Sequence, residues 1–131
     1  MATDPSIAIL VVDDFSTMVR IARNLLKQIG FDNVDEAAGG SSALAKMREK
    51  PYDLVISDWN MEPMSGIDLL REIRAHPGFQ QTRFIMVTAE SNSQNVIAAR
   101  DAGADNYILK PFTRETLRQK IQSVFSQTAR V

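Results

Sequence analysis

The run Ile7-Ala8-Ile9-Leu10-Val11-Val12-Asp13-Asp14 carries six apolar residues with no polar alternation, followed at once by two carboxylates. Continuous rather than alternating hydrophobicity over strand length marks a strand covered on both faces, as in a parallel sheet with helices on each side. Leu54-Val55-Ile56 and Phe84-Ile85-Met86-Val87 repeat the pattern, and Asn33-Val34-Asp35-Glu36 and Tyr107-Ile108-Leu109 are shorter candidates.

Helical spacing fills the intervals. Met18, Ile21, Ala22, Leu25, Leu26 and Ile29 share one helical face, and Gly30 stops that helix. Leu44 and Met47 follow Gly39-Gly40-Ser41-Ser42; Ile67, Leu70 and Ile73 follow a candidate N-cap at Ser65. Val96, Ile97 and Ala99 suggest a fourth helix closed by Gly103, and Leu117, Ile121, Val124 and Phe125 a fifth after a cap at Thr113. Strand and helix thus alternate five times, which predicts a doubly wound α/β sheet because each parallel connection needs a helical crossover.

The chain of 131 residues has the size of one domain, and residues 1–131 are read as a single unit. Its formal net charge of −1, with both signs mixed along the chain, gives no electrostatic footprint for nucleic acid or an anionic membrane. No apolar run approaches the roughly 18 residues of a membrane span, and the start lacks a secretory pattern, so a cytoplasmic location is expected. With no cysteine, thiolate catalysis and cysteine zinc sites are excluded.

In an open parallel sheet, ligands bind beyond the carboxyl ends of the strands. The residues there are polar: Asp13-Asp14, Ser57-Asp58, Thr88-Ala89-Glu90 and Lys110-Pro111. Three carboxylates on one rim repel one another and raise the pKa of at least one of them unless a cation is present. Hard oxygen donors without histidine or thiolate suit Mg²⁺, or Mn²⁺, over Zn²⁺. With phosphoryl charge offset in this way, Asp58 can act as a nucleophile and become an aspartyl phosphate, Lys110 pairing with one phosphoryl oxygen and Thr88 donating a hydrogen bond to another.

Each residue alone has a plainer account. Asp13 or Asp14 can cap the helix starting near Phe15, Asp58 can sit in an Asx-turn, Thr88 can be a cap and Lys110 a solvated charge. Their coincidence on one sheet edge is what the plainer accounts leave unexplained. His76, the only histidine, lies in the turn-like Arg74-Ala75-His76-Pro77-Gly78 with no partner motif. No phosphate-binding glycine motif is present, and Asp13-Asp14-Phe15-Ser16 stands where a dinucleotide fold would place its glycines. The Met61, Met64 and Met86 group reads as packing, and Trp59 as a rim aromatic placed to report on the site.

Val11-Val12-Asp13-Asp14-Phe15-Ser16-Thr17-Met18, Ser57-Asp58-Trp59-Asn60-Met61, Val87-Thr88-Ala89-Glu90 and Tyr107 to Lys110-Pro111-Phe112 resemble the receiver domain of two-component response regulators, and within it the single-domain chemotaxis regulators. The resemblance spans about Ile7 to Phe125 and implies a flavodoxin-like five-stranded parallel sheet of order 2-1-3-4-5 with five helices. It implies that Asp58 accepts a phosphoryl group from a histidine kinase, while Asp14, Asp58 and the backbone carbonyl of Asn60 bind Mg²⁺ and Asp13 binds it through water. It further implies a cis Lys110-Pro111 bond, a switch in which Thr88 moves towards the phosphoryl group and Tyr107 from exposed to buried, and a signalling face on the fourth helix, fifth strand and fifth helix with Val96, Tyr107 and Lys120. Asn60 and Glu90 resemble the pair associated with rapid self-dephosphorylation.

A flagellar motor switch protein is the partner so implied, with a phosphatase a further one and a monomer the expected state. A phosphate sink or relay for a shared kinase is the alternative within the family, and a metal-dependent phosphatase acting on external phosphoesters the alternative outside it. In Met61-Glu62-Pro63-Met64-Ser65-Gly66, proline stands one position later than the usual pattern and serine where aspartate is common.

Overall fold

The computed structural model describes residues 4–89 and 93–126. Strands and helices alternate as β1 (Ile9–Val12), α1 (Ser16–Ile29), β2 (Val34–Ala37), α2 (Gly40–Glu49), β3 (Leu54–Asp58), α3 (Gly66–Ala75), β4 (Arg83–Thr88), α4 (Ser93–Ala102), β5 (Asn106–Leu109) and α5 (Arg114–Ser126), with a 3-10 turn at Pro77–Phe79. All strand pairs are parallel, in the order β2-β1-β3-β4-β5.

The two faces of β1 show how the sequence builds two cores. Ile9 and Val11 pack with Val19, Ala22 and Leu26 of α1 and Leu117, Ile121 and Val124 of α5. Leu10 and Val12 point the other way, to Ala43 and Met47 of α2, Leu69, Leu70 and Ile73 of α3 and Ala99 of α4. Because successive strand residues face opposite sides, an unbroken apolar run serves both cores. Ile9, Leu10, Leu54, Ile85 and Met86 are fully buried, each removal from water stabilising the fold by about 1.5–3 kcal/mol.

Local signals fix the helix ends. Gly30 takes φ 120° and its N–H donates to Leu26 and Lys27 carbonyls, a left-handed cap that a side chain would strain. The Ser65 hydroxyl accepts from Asp68 N at 3.2 Å, and the Thr113 hydroxyl from Thr116 N at 3.2 Å, as expected of the two caps. The second strand runs one residue later than the sequence pattern suggests, from Val34 to Ala37, although the Asn33 carbonyl already accepts from Ile9 N. On the outer side of β2, Lys46 Nζ donates to the Glu36 carbonyl and Lys50 Nζ bonds Asp35 and Asn33.

At the amino-terminal ends of β4 and β5, Arg74 of α3 ties two loops together. Its guanidinium donates to the Gly103 carbonyl at 3.0 Å and the Thr82 carbonyl at 2.6 Å, and pairs with the buried carboxylate of Asp105 at 3.0 Å. Asp105 also accepts from Phe84 N at 2.8 Å.

Candidate functional site

Strand register brings the polar residues to one rim. Val12 pairs with Ser57, Asp58 with Val87, and Thr88 with Leu109, so Asp13, Asp58, Thr88 and Lys110 fall within a residue of one another across four strands. The third strand runs on through Ser57 to Asp58, two residues past its apolar run, because Asp58 still pairs with β4 and Trp59 N donates to the Val87 carbonyl at 2.9 Å.

Asp13 and Asp58 are buried and Asp14 is exposed. One carboxylate oxygen from each lies within 4.8 Å of the others. Neither Asp13 nor Asp14 caps α1, whose N-cap residue is Phe15 with no side-chain capping bond. Asp13 Oδ1 instead accepts from Phe15 N at 3.0 Å, which holds the loop and leaves Oδ2 facing the site.

Lys110 Nζ approaches Asp58 Oδ1 to 2.7 Å and Asp13 Oδ2 to 4.0 Å. The shorter contact is an ion pair outside hydrogen-bond angles: Asp58 Oδ1 is buried and accepts no hydrogen bond. Burial pushes the Asp13 carboxyl above the usual carboxylate range, with the charges of Asp58 and Asp14 adding to the rise; the Phe15 N–H and Lys110 oppose it.

Three hard carboxylates converge, one oxygen is buried without a hydrogen bond, and a single ammonium offsets their charge. Those features fit an oxygen-preferring divalent cation, and the cluster holds only oxygen donors among the described residues, which disfavours zinc.

The loop after β3 is shaped by Gly66, whose N–H donates to the Trp59 carbonyl at 2.8 Å. A Cβ on Gly66 would stand 2.2 Å from the Asp58 carbonyl oxygen and 2.9 Å from Met86 Sδ, so only glycine lets α3 begin against the strand end. Nothing in the local sequence announced this role, since Gly66 follows Ser65 as an ordinary helix start. Beneath the carboxylates is a void of only about 10 Å³, lined in part by Met18, Ile56 and Phe112, so the site is an open rim rather than a substrate pocket. A cavity of about 460 Å³ lies on the flank of α1 and shares no residue with the carboxylate cluster.

Thr88 is buried at the end of β4, and the Lys110 N–H donates to its carbonyl at 2.9 Å. The Lys110-Pro111 bond is cis, as expected, and Glu62-Pro63 is cis as well. Asn60 is exposed beside Asp58, whereas Glu90 lies outside the described residues. Tyr107 is half-buried, with Lys120 Nζ 4.9 Å from its ring centroid, and Val96 is half-buried across a cavity of about 180 Å³ that both residues line.

His76 serves its own turn: Nδ1 accepts from Gly78 N at 3.0 Å and the ring stacks on Phe79. Met61 and Met86 are core residues, and Trp59 and Met64 pack against that core. Among the described residues no helix is long and apolar enough to cross a membrane.

Residues 9–122 match the family model described as the response regulator receiver domain. The chain is 46% identical over 119 residues to chemotaxis protein CheY-3 of Vibrio cholerae, covering 91% of this chain and 92% of that one. It is 45% identical to chemotaxis protein CheY of Pseudomonas aeruginosa, covering 91% and 96% respectively. Among solved structures, chemotaxis protein CheY4 of Vibrio cholerae superposes with a TM-score of 0.85 at 31% identity, covering 91% of this chain and 98% of that one.

Proposed function

Because the chain belongs to the response regulator receiver domain family, we propose that it is a phosphorylation-activated signalling switch, one receiver domain whose phosphoacceptor is Asp58. One observation carries the assignment. Asp58 Oδ1 is buried, ion-paired at 2.7 Å to Lys110 and free of any hydrogen bond, within a cluster of three carboxylates. A carboxylate held for structure alone would have its oxygens satisfied by hydrogen bonds.

In the proposed reaction an Asp58 oxygen attacks the phosphorus of a phosphohistidine on a histidine kinase. The phosphorus–nitrogen bond breaks, its electron pair returns to the imidazole, and an acyl phosphate is left on Asp58. Lys110 transfers its pairing from the carboxylate to a phosphoryl oxygen, and the Thr88 hydroxyl donates to another. Asp13, Asp14 and Asp58 with the Asn60 backbone carbonyl are the residues to hold Mg²⁺, or Mn²⁺, Asp13 acting through a water. When bound, that cation supplies positive charge that offsets repulsion between the carboxylates and the incoming phosphoryl oxygens.

The chemotaxis names of the relatives support a role in chemotaxis; in this reading the output is to a flagellar motor switch protein in the cytoplasm, by a monomer, through α4, β5 and α5. Val96, Tyr107 and Lys120 lie on that face, and Thr88 with Tyr107 forms the switch between site and face. Asn60 and Glu90 set the lifetime of the phosphoryl group by orienting water, and a phosphatase is a further partner.

The test is transfer from a small acyl phosphate with Mg²⁺, followed by intact mass. A single phosphoryl adduct is expected on the wild type and none on Asp58→Asn; an equal adduct on both overturns the assignment. Motor-switch binding that tightens on phosphorylation supports the output, and its absence alongside rapid turnover leaves a phosphate sink.

A further inference from the structure

The cavity of about 460 Å³ beside α1 is framed by Arg20, Arg23, Asn24 and Lys27 on one side and by Asp32 and Glu36 on the other. Helix α1 has three cationic residues and no acid in fourteen residues, within a chain of net charge −1. Positions 20, 23, 24 and 27 are one helical stripe. Arg23 pairs with Glu36 at 2.8 Å, but both side chains are about half exposed, at 48% and 51%, so the pair is weak and open to exchange. Arg20 and Lys27 form no ion pair among the described residues. Ile21, a turn away from Asn24 on the same helix, is 44% exposed.

The opposite side of α1 is occupied, since Val19, Ala22 and Leu26 fill the core shared with α5. The basic stripe is therefore the side left for a partner. It also lies beside β2, at the sheet edge farthest from β5, with β1, β3 and β4 between them.

We infer that this flank docks an acidic protein segment carrying an apolar side chain, its carboxylates meeting Arg20, Arg23 and Lys27 and its apolar group Ile21, with an affinity that does not depend on the phosphorylation state of Asp58. Only the last clause rests on the proposed function. Charge complementarity selects an acidic occupant. A protein segment fits better than single-stranded nucleic acid, because Phe31, the one aromatic residue lining the cavity, is buried and offers no face for base stacking.

The test titrates the full chain with a short Asp/Glu-rich peptide containing one leucine, followed by amide NMR shifts. Shifts are expected in α1 and in Phe31 to Glu36, equally with and without a phosphoryl analogue at Asp58. The double variant Arg20→Glu, Lys27→Glu, changing two exposed side chains, should weaken the peptide at least about tenfold and leave phosphorylation from a small donor unchanged. Shifts elsewhere, unchanged affinity in the double variant, or tighter binding of a single-stranded RNA of equal length at the same salt each overturn the docking proposal. Docking by a chain that takes no phosphoryl group would sink the functional assignment and leave the docking site standing.

Discussion

Lys110 Nζ stands 2.7 Å from Asp58 Oδ1 and 4.0 Å from Asp13 Oδ2, one ammonium serving two carboxylates, one at the end of β3 and one just past the end of β1. It is the one cation that ion-pairs with the cluster among the described residues. In the proposed reaction this ammonium passes from the Asp58 carboxylate to a phosphoryl oxygen, so its removal should strike the transition state more than the fold. Lys110→Ala should slow phosphorylation from a small donor by about a hundredfold or more, read as the rate of adduct formation by intact mass. A variant that phosphorylates at the wild-type rate would remove Lys110 from the site.

Asp13 should lower the stability of the metal-free protein. Its folded carboxyl is held above the ordinary value of 3.8 by burial first and by its acidic neighbours next. An acid raised on folding binds more protons in the native than in the unfolded state between those two values. Stability therefore falls as pH rises from about 3.8 through the raised value, and the full penalty persists at neutral pH. With chelator present, Asp13→Asn should gain about 0.5–2 kcal/mol at neutral pH and lose that part of the acid-side slope, measured by urea denaturation across pH.

Asp35 has the opposite sign. Its carboxylate accepts from Tyr52 Oη at 2.6 Å and from Lys50 Nζ at 2.9 Å, and its pKa is lowered, chiefly by the tyrosine hydroxyl. The contribution is present above the ordinary value of 3.8 and is lost as pH falls through the lowered one. Tyr52→Phe should shrink the loss of stability at acid pH while costing about 1 kcal/mol near neutrality.

Gly66→Ala places a methyl 2.2 Å from a backbone carbonyl that cannot yield without moving Asp58. A loss of about 1–3 kcal/mol is expected, together with slower phosphorylation, because the clash is with the peptide unit of Asp58, the proposed phosphoacceptor. Gly40→Ala is the comparison: its added methyl meets only the Met64 side chain, Sδ, Cγ and Cβ, and no backbone atom is among its nearest neighbours, so its cost should be smaller.

Arg74 and Asp105 form a pair whose carboxylate is completely buried and whose guanidinium is 14% exposed. Asp105→Ala leaves that guanidinium without its countercharge, and about 3–5 kcal/mol of stability should be lost. Thermal unfolding monitored by Trp59 fluorescence measures it.

The layout of the sheet was legible because β1, β3 and β4 are buried on both faces, and burial leaves an unbroken apolar run that no surface strand would carry. Asp13 and Asp58 could be found for the same reason: a charge ending such a run stands out. Gly66 and Arg74 could not. Gly66 matters through its approach to a strand eight residues earlier, and Arg74 through carbonyls and a carboxylate up to thirty-one residues later. These contacts exist only after the chain has folded back. The β2 boundary was missed by one residue because its polar Asp35 and Glu36 blur the apolar signal that marks the inner strands.

β2 is an outermost strand of the sheet, and its neighbours on the far side decide what the molecule does with copies of itself. The carbonyls of Asn33 and Ala37 turn inward to β1, so that of Glu36 turns outward, where the Lys46 ammonium occupies it. With Lys50 set over Asp35, the border presents fixed charge instead of a row of open backbone acceptors. A strand approaching to pair at Glu36 would have to displace an ammonium first. The same two lysines that look like ordinary solubilising residues in the sequence thus guard an open sheet edge, and their replacement by alanine should make concentrated samples more prone to strand-to-strand association.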